Sequence, residues 1–185
     1  RLFREADILT PDWVHCDLSR QTAEAAAAHI EETVGYPCVV KPCSCGSSVG
    51  VSMAEDREEL MQALTLAMQY EGDIIAERRI QGREVTVSVL GGRVLPAVEI
   101  VPHEGFYDYA NKYQAGAVEE LCPARIALAE ASALANAARR GFDVLRLGGY
   151  ARFDFILDKT GTAWCLEAHA LPGMTPTSLL PRAAA

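Results

Sequence analysis

The chain has 185 residues, half of them hydrophobic, and carries a formal net charge of −8 with an isoelectric point near 5.0. This length and apolar content are enough to bury a core, as one large domain or as two small lobes. The acidic balance excludes a broad nucleic-acid footprint, so any phosphate ligand must be met by a few local cations. No apolar run is long enough to span a bilayer, and no signal-peptide pattern opens the chain, so no membrane partner is expected. Cys16, Cys38, Cys43, Cys45, Cys122 and Cys165 lack the paired C-x-x-C spacing of a zinc site. They read as reduced thiols of a cytoplasmic protein. The chain opens on Arg1 and stops at Ala185 where a helix is starting, and a piece of a longer protein is expected.

In chain order, residues 2–6 read as the tail of a helix, and residues 8–14 as a turn into a strand, because Pro11 biases Thr10 to extended geometry. Residues 19–33 are Ala-rich and helical, with Ser19 as N-cap and Gly35 as stop. Residues 36–42 form a short buried strand bounded by prolines, followed by a Gly/Ser-rich loop from Cys43 that re-enters a strand by Ser52. Residues 55–70 are an amphipathic helix with Leu60, Leu64 and Ala67 or Met68 on its buried stripe, and residues 73–77 a strand. The alternating run 83–90 turns at Gly91-Gly92 into a second strand reaching Ile100. Residues 105–117 have no period and read as a long ordered loop, and residues 123–140 as a helix ended by Gly141. A hairpin follows, with strands at 152–158 and 164–169 around a Gly-containing turn, and then a loop at 172–178 feeding a last helix. Without strict βαβ alternation, the expected class is α+β with largely antiparallel sheets, divided at residues 1–80 and 81–185.

Four groups of residues carry candidate chemistry. Gly46, Ser47, Ser48 and Gly50, following a strand that ends near Lys41, form a loop able to cradle phosphate with backbone N–H and hydroxyl donors, or else an ordinary polar turn. The loop is neither a Walker A sequence nor a dinucleotide fingerprint. Glu77 and Glu84 flank a strand junction, where acceptors suit an adenosine, or are simply solvated. Lys112 and Tyr113 share the long loop with Phe106, Tyr107 and Tyr109, a composition fitting a lid that excludes water or a loop pinned by aromatics. The hairpin is the sharpest signal. Period two sets Arg152, Asp154 and Ile156 on one face, opposite Phe153, Phe155 and Leu157, and points Cys165, Glu167 and His169 together. Charges gathered on a largely apolar ribbon predict a bound cation and anion, with a cross-strand salt-bridge cluster as the plainer alternative.

The motifs Val39-Val40-Lys41-Pro42, Gly46-Ser47-Ser48-Val49-Gly50, Phe106-Tyr107-Asp108-Tyr109, Lys112-Tyr113, Cys122-Pro123-Ala124, Arg152-Phe153-Asp154 and Pro172-Gly173-Met174-Thr175 with Ser178-Leu179 stand in one order. In that order they resemble the D-alanine–D-alanine ligases of the ATP-grasp superfamily. The resemblance spans nearly the whole chain. It implies two α+β lobes clamping ATP, the smaller at residues 1–80 and the larger at 81–185. It implies phosphorylation of one D-alanine carboxylate and attack by the amine of a second, giving a dipeptide for peptidoglycan. By position, Lys41 resembles the lysine on the ATP phosphates, and Ser47 and Ser48 the loop closing over them. Glu77 and Glu84 resemble the base and ribose contacts, and Lys112 with Tyr113 the lid pair. Asp154, Glu167 and the position of His169 resemble the ligands of two Mg²⁺ or Mn²⁺ ions. Arg152 and the Gly173 amide resemble oxyanion stabilisers, and Ser178 with Leu179 the second D-alanine contacts.

The sequence departs from this pattern at several points. His169 stands where the family has Asn, a softer donor that favours Mn²⁺ or Zn²⁺ over Mg²⁺. Cys45 precedes the loop glycine, Ala170 stands where Thr is common, and Asp7 where Gly is usual. The family's N-terminal domain is not represented, so this piece alone is expected to be inactive. The resemblance also leaves open a D-lactate or D-serine acceptor, or a nucleotide-binding module without catalysis, and it implies a homodimer of the full-length protein.

Overall fold

The computed structural model describes residues 1–46, 48–102 and 118–185. The expectations for Ser47 and for the long loop, including Phe106, Tyr107, Tyr109, Lys112 and Tyr113, lie outside the described residues.

The chain divides into two compact units. The first, Pro11–Arg79, carries β1 (Trp13–Asp17), α2 (Ala23–Thr33), β2 (Cys38–Pro42), β3 (Ser52–Ala54), α3 (Arg57–Ala67) and β4 (Asp73–Arg78). Its four strands pair antiparallel in the order β1-β4-β2-β3. Period two explains the layering: Cys38 and Val40 of β2 and Ile74 and Ala76 of β4 point to the helix-covered face, where they meet Ile30, Leu60 and Leu64 in one buried cluster. Lys41 and Glu77 therefore fall on the opposite face, with Val39 and Ile75. The α3 stripe holds Leu60, Leu64 and Ala67, while Met68 is exposed beyond the helix end. The helix cap at Ser19 needs correction. Helix α2 begins later, with the Thr22 hydroxyl accepting from Ala25 N at 3.2 Å, because Ser19 is already engaged by the Asp17 carboxylate.

The second unit comprises Arg1–Thr10 and the described residues from Ile80 onward. Residues 1–10 thus differ from the expected division. Phe3 and Ala6, on or just after the four-residue α1 (Leu2–Glu5), and the buried Ile8 pack on the core that contains Phe153, and Cys165 N donates to Leu9 O at 2.8 Å. The sheet holds β5 (Gly82–Leu90), β6 (Arg93–Val94), β7 (Val98–Pro102), β8 (Val118–Leu121), β9 (Tyr150–Asp158) and β10 (Ala163–His169). They run antiparallel in the order β10-β9-β5-β7-β8, with β6 beside β5. The strand expected to run unbroken from Arg93 to Ile100 is split between Val94 and Val98, a stretch containing Pro96, which has no ladder donor.

Helix α4 (Leu128–Val144) covers the apolar face of this sheet, and a last short helix, α5 (Leu179–Ala184), follows the 172–178 loop. Two expectations fail on α4. It starts at Leu128 rather than near Pro123, and Gly141 does not end it but lies buried within it. A Cβ on Gly141 would sit 2.6 Å from the Phe153 ring, so glycine here permits close helix–sheet approach rather than a stop.

Candidate functional site

The polar cluster is assembled at the β9–β10 ladder, and its placement depends on one irregularity. Cys165 pairs with Phe155, and both are buried in the apolar core. Strict alternation would then oppose Glu167 to Phe153. The register shifts between Cys165 and Glu167 instead, so that Glu167 opposes Asp154 and His169 opposes Arg152. This β-bulge carries Glu167 and His169 to the Asp154 side of the sheet and leaves Cys165 behind. The expected grouping of Cys165 with Glu167 and His169 is therefore corrected, while the grouping of Arg152, Asp154, Glu167 and His169 is present.

Asp154 is the centre, only 8% exposed. Arg152 donates to it twice, from Nε to Oδ1 and from Nη2 to Oδ2, each at 2.8 Å. Such a fork fixes both planes. A third donor was not legible as a site residue: the buried Thr86 hydroxyl gives its proton to Asp154 Oδ1 at 2.8 Å from the neighbouring β5. Alternation along 83–90 sets Thr86 on the face shared by Glu84 and Ser88, but which strand lies beside β5 is a tertiary fact. Burial pushes the Asp154 carboxyl up, the largest single influence, yet His169 and Arg152 together outweigh it and hold the group well below the usual carboxylate range.

His169 Nε2 lies 2.8 Å from Glu167 Oε1 and 3.3 Å from Asp154 Oδ2. The Asp154 carboxylate first, then Glu167, raises the imidazole to about 9 against the opposing effect of burial. Nε2 itself is shut off from solvent and aligned with neither oxygen as a hydrogen bond. One ligand atom from each of Asp154, Glu167 and His169 lies within 4.8 Å of the others. Two hard carboxylate oxygens and one imidazole nitrogen that lacks an aligned partner fit a divalent cation.

The remaining predicted residues are distributed between the units. In the first unit, Lys41 Nζ pairs with Glu77 Oε2 at 2.8 Å, both half-buried on the face away from the helices. Ser48 follows in the loop with φ of 61°. The nearby Cys43 thiol is pushed up to about 11 by desolvation and then by Glu71 and Asp73, so it is not a ready thiolate. In the second unit, Glu84 lies opposite Ile156 on one side and Ile100 on the other. Ser178 Oγ accepts from Thr175 N at 3.1 Å and lies 2.8 Å from Thr175 Oγ1. A Cβ on Gly173 would meet that oxygen at 2.7 Å. Leu179 packs beside Leu95, Val98 and Ala183. A further pair missed in the sequence is Arg83 with Glu99, two bonds of 2.7 Å around a buried carboxylate, the same guanidinium also donating to Arg125 O.

Two α+β units with antiparallel sheets, one bearing a lysine–glutamate pair and the other a carboxylate–imidazole–guanidinium cluster, define an ATP-grasp fold. The chain belongs to the family described as D-ala D-ala ligase C-terminus, matched over residues 2–185. It is 42% identical over 186 residues to a D-alanine–D-alanine ligase of Synechococcus sp. (strain JA-3-3Ab), covering 100% of this chain and 57% of that protein. With one from Anaeromyxobacter sp. (strain Fw109-5) the identity is 50% over 154 residues, covering 82% and 49%. Among solved structures, a D-alanine–D-alanine ligase from Bacillus anthracis superposes with a TM-score of 0.84 at 31% identity, covering 99% of this chain and 58% of that one. VanG D-Ala:D-Ser ligase from Enterococcus faecalis gives 0.86 at 31% identity, covering 98% and 53%. The chain thus spans about half the length of the relatives it matches. Among the described residues no helix is long and apolar enough to cross a membrane.

Proposed function

We propose that the protein to which this chain belongs is an ATP-dependent ligase that joins two D-alanines for peptidoglycan synthesis. The observation that carries this reading is the convergence of Asp154, Glu167, His169 and Arg152 in a chain of the D-alanine–D-alanine ligase family. The γ-phosphoryl group of ATP passes to the carboxylate of one D-alanine, giving ADP and an acyl phosphate. The ammonium of the second gives one proton to solvent and attacks the acyl carbon as a free amine; the C–O bond to phosphate breaks with its electron pair, the second nitrogen proton passes to the departing phosphate, and hydrogen phosphate leaves.

In this reading Asp154, Glu167 and His169 hold the Mg²⁺ or Mn²⁺ that offsets phosphate charge, two ions in all. Thr86 and Arg152 keep Asp154 ionised and oriented, and Arg152 also meets the charge on the transferring group. Lys41 meets the ATP phosphates, and Ser47 and Ser48 close over them. Glu77 and Glu84 receive the base and ribose, and Lys112 and Tyr113 belong to the lid. The Gly173 amide meets the oxyanion, and Ser178 and Leu179 the second amino acid. Pro11–Arg79 is then the smaller ATP-grasp lobe, and the rest of the described chain the larger. A cytoplasmic homodimer of the full-length protein completes the reading. The likeness to a D-Ala:D-Ser ligase favours D-serine as the second acceptor to try, with D-lactate after it.

The test is phosphate release from ATP by the full-length protein with D-alanine alone, and with D-alanine plus D-serine or D-lactate. Release and dipeptide formation with D-alanine alone are expected. Products only in the mixed reactions would reassign the acceptor, and ATP binding with no release in any mixture would sink the ligase reading.

A further inference from the structure

His169 is the imidazole corner of the cluster, and three observations bear on what it does. The β-bulge delivers its ring to the Asp154 face, at the last residue of β10. Its Nε2 is buried and within 3.3 Å of one carboxylate oxygen and 2.8 Å of another, but aligned to neither. Those separations bracket the roughly 3.0 Å between neighbouring donors around an octahedral ion with bonds of about 2.1 Å. An ordinary ion pair has similar spacing, so the distance is compatible with either arrangement. A third body between the oxygens takes the Nε2 lone pair by displacing the proton that the two carboxylates otherwise hold there, so its binding releases a proton.

Donor chemistry then decides which third body. An amide oxygen at this position gives an all-oxygen site, suited to Mg²⁺. An imidazole nitrogen is a softer donor, which Mg²⁺ gains little from and Mn²⁺ and later first-row cations accept readily. We propose that His169 is a metal-selecting residue of this chain: its Nε2 completes the Asp154–Glu167 cation site with nitrogen and moves the preference of that site from Mg²⁺ towards Mn²⁺. The inference rests on the cation reading given under Proposed function and adds the identity of the ion to it.

The experiment uses the full-length protein with MnCl₂ and ADP. Bound Mn²⁺ is counted by loss of the free-ion resonance, and MgCl₂ is titrated in as competitor. Electron spin echo modulation reads the nitrogen bound to Mn²⁺, and protein grown with ¹⁵N-histidine separates imidazole from adenine. The expected result is histidine modulation in the wild type, lost in His169→Asn. The Mn²⁺ to Mg²⁺ affinity ratio should also fall about tenfold in that variant. An unchanged ratio, or absent histidine modulation, overturns the proposal. So does tighter binding of both ions to His169→Asn, which would make the ring a built-in cation occupying the place of the metal. Asp154→Asn distinguishes the two levels. If Mn²⁺ binding survives that substitution unchanged, the cation site itself is misplaced; if it disappears while His169→Asn leaves the ratio alone, only the selectivity claim fails.

Discussion

The two sheets of this chain each carry charged residues on one face, and they do so by different means. In the four-stranded sheet, Lys41 and Glu77 stand on a regular ladder and meet as one cation and one anion. A regular antiparallel pair can do little more, because each side chain on a face has one direct cross-strand neighbour and a few diagonal ones. In the six-stranded sheet, the shift after Cys165 breaks the ladder and turns two successive polar residues of β10 towards Asp154, while β5 adds the Thr86 hydroxyl from the other side. The result is a buried carboxylate with an arginine, a histidine, a threonine and a second carboxylate around it. Regularity yields a pair, and a bulge yields a constellation.

The most severe way to break this comparison is to shift the ladder. One alanine inserted between Leu166 and Glu167 lets strict alternation run on from Cys165, so that Glu167 opposes Arg152, one same-face pair away from Asp154, and His169 passes beyond Arg152. With Glu167 and His169 moved away from Asp154, a loss of Mn²⁺ binding by more than about tenfold in the full-length protein is expected. Deleting Leu166 keeps Glu167 opposite Asp154 and should spare metal binding, so loss of binding in the deletion would show that the bulge shapes the site as well as aiming it.

A milder test addresses the regular sheet. Lys41→Met leaves Glu77 half-buried without its partner, and the expected loss of stability is about 1 kcal/mol. ATP affinity of the full-length protein, measured by calorimetry, should drop by about tenfold or more if Lys41 meets phosphate. A large stability loss with unchanged affinity would make the pair structural.

The smallest effect concerns the turn that joins β9 to β10. Asp158 accepts from the Thr160 hydroxyl and amide, the Thr162 amide and the Trp164 indole, the last at 2.9 Å. The Thr160 hydroxyl first, then Trp164, hold its carboxyl well below the usual range. A folded-state value below the unfolded one contributes stability above the unfolded carboxylate pKa of about 3.9, which is lost as pH falls towards the folded value. The stability advantage of wild type over Asp158→Asn should therefore be present at neutral pH and shrink below about pH 4, followed by tryptophan fluorescence. An advantage that does not change with pH would assign it to the hydrogen bonds alone.

Much of this is legible in the sequence. The apolar face Phe153, Phe155 and Leu157 followed from period two, and all three are buried. The α3 stripe and the Gly91-Gly92 reversal were equally direct. Ser19 and Gly141 misled because local propensity names residues able to cap or stop a helix, and competing bonds or packing decide whether they do. Asp17 took Ser19, and the Phe153 ring needed the space at Gly141. Thr86 and the Arg83–Glu99 pair were hidden for another reason: their partners are distant in sequence and come together only through strand order.

By itself the sequence determined which residue types are available, their alternation along each strand, and a motif order matching one ligase family. Those are properties of neighbours along the chain. Only the tertiary structure decided that β5 lies beside β9, that residues 1–10 pack with the later part of the chain, and that the ladder slips after Cys165. The slip depends on which of two registers buries Cys165 while leaving Glu167 and His169 with Asp154. That balance between apolar burial and carboxylate solvation is settled across strands and not along one.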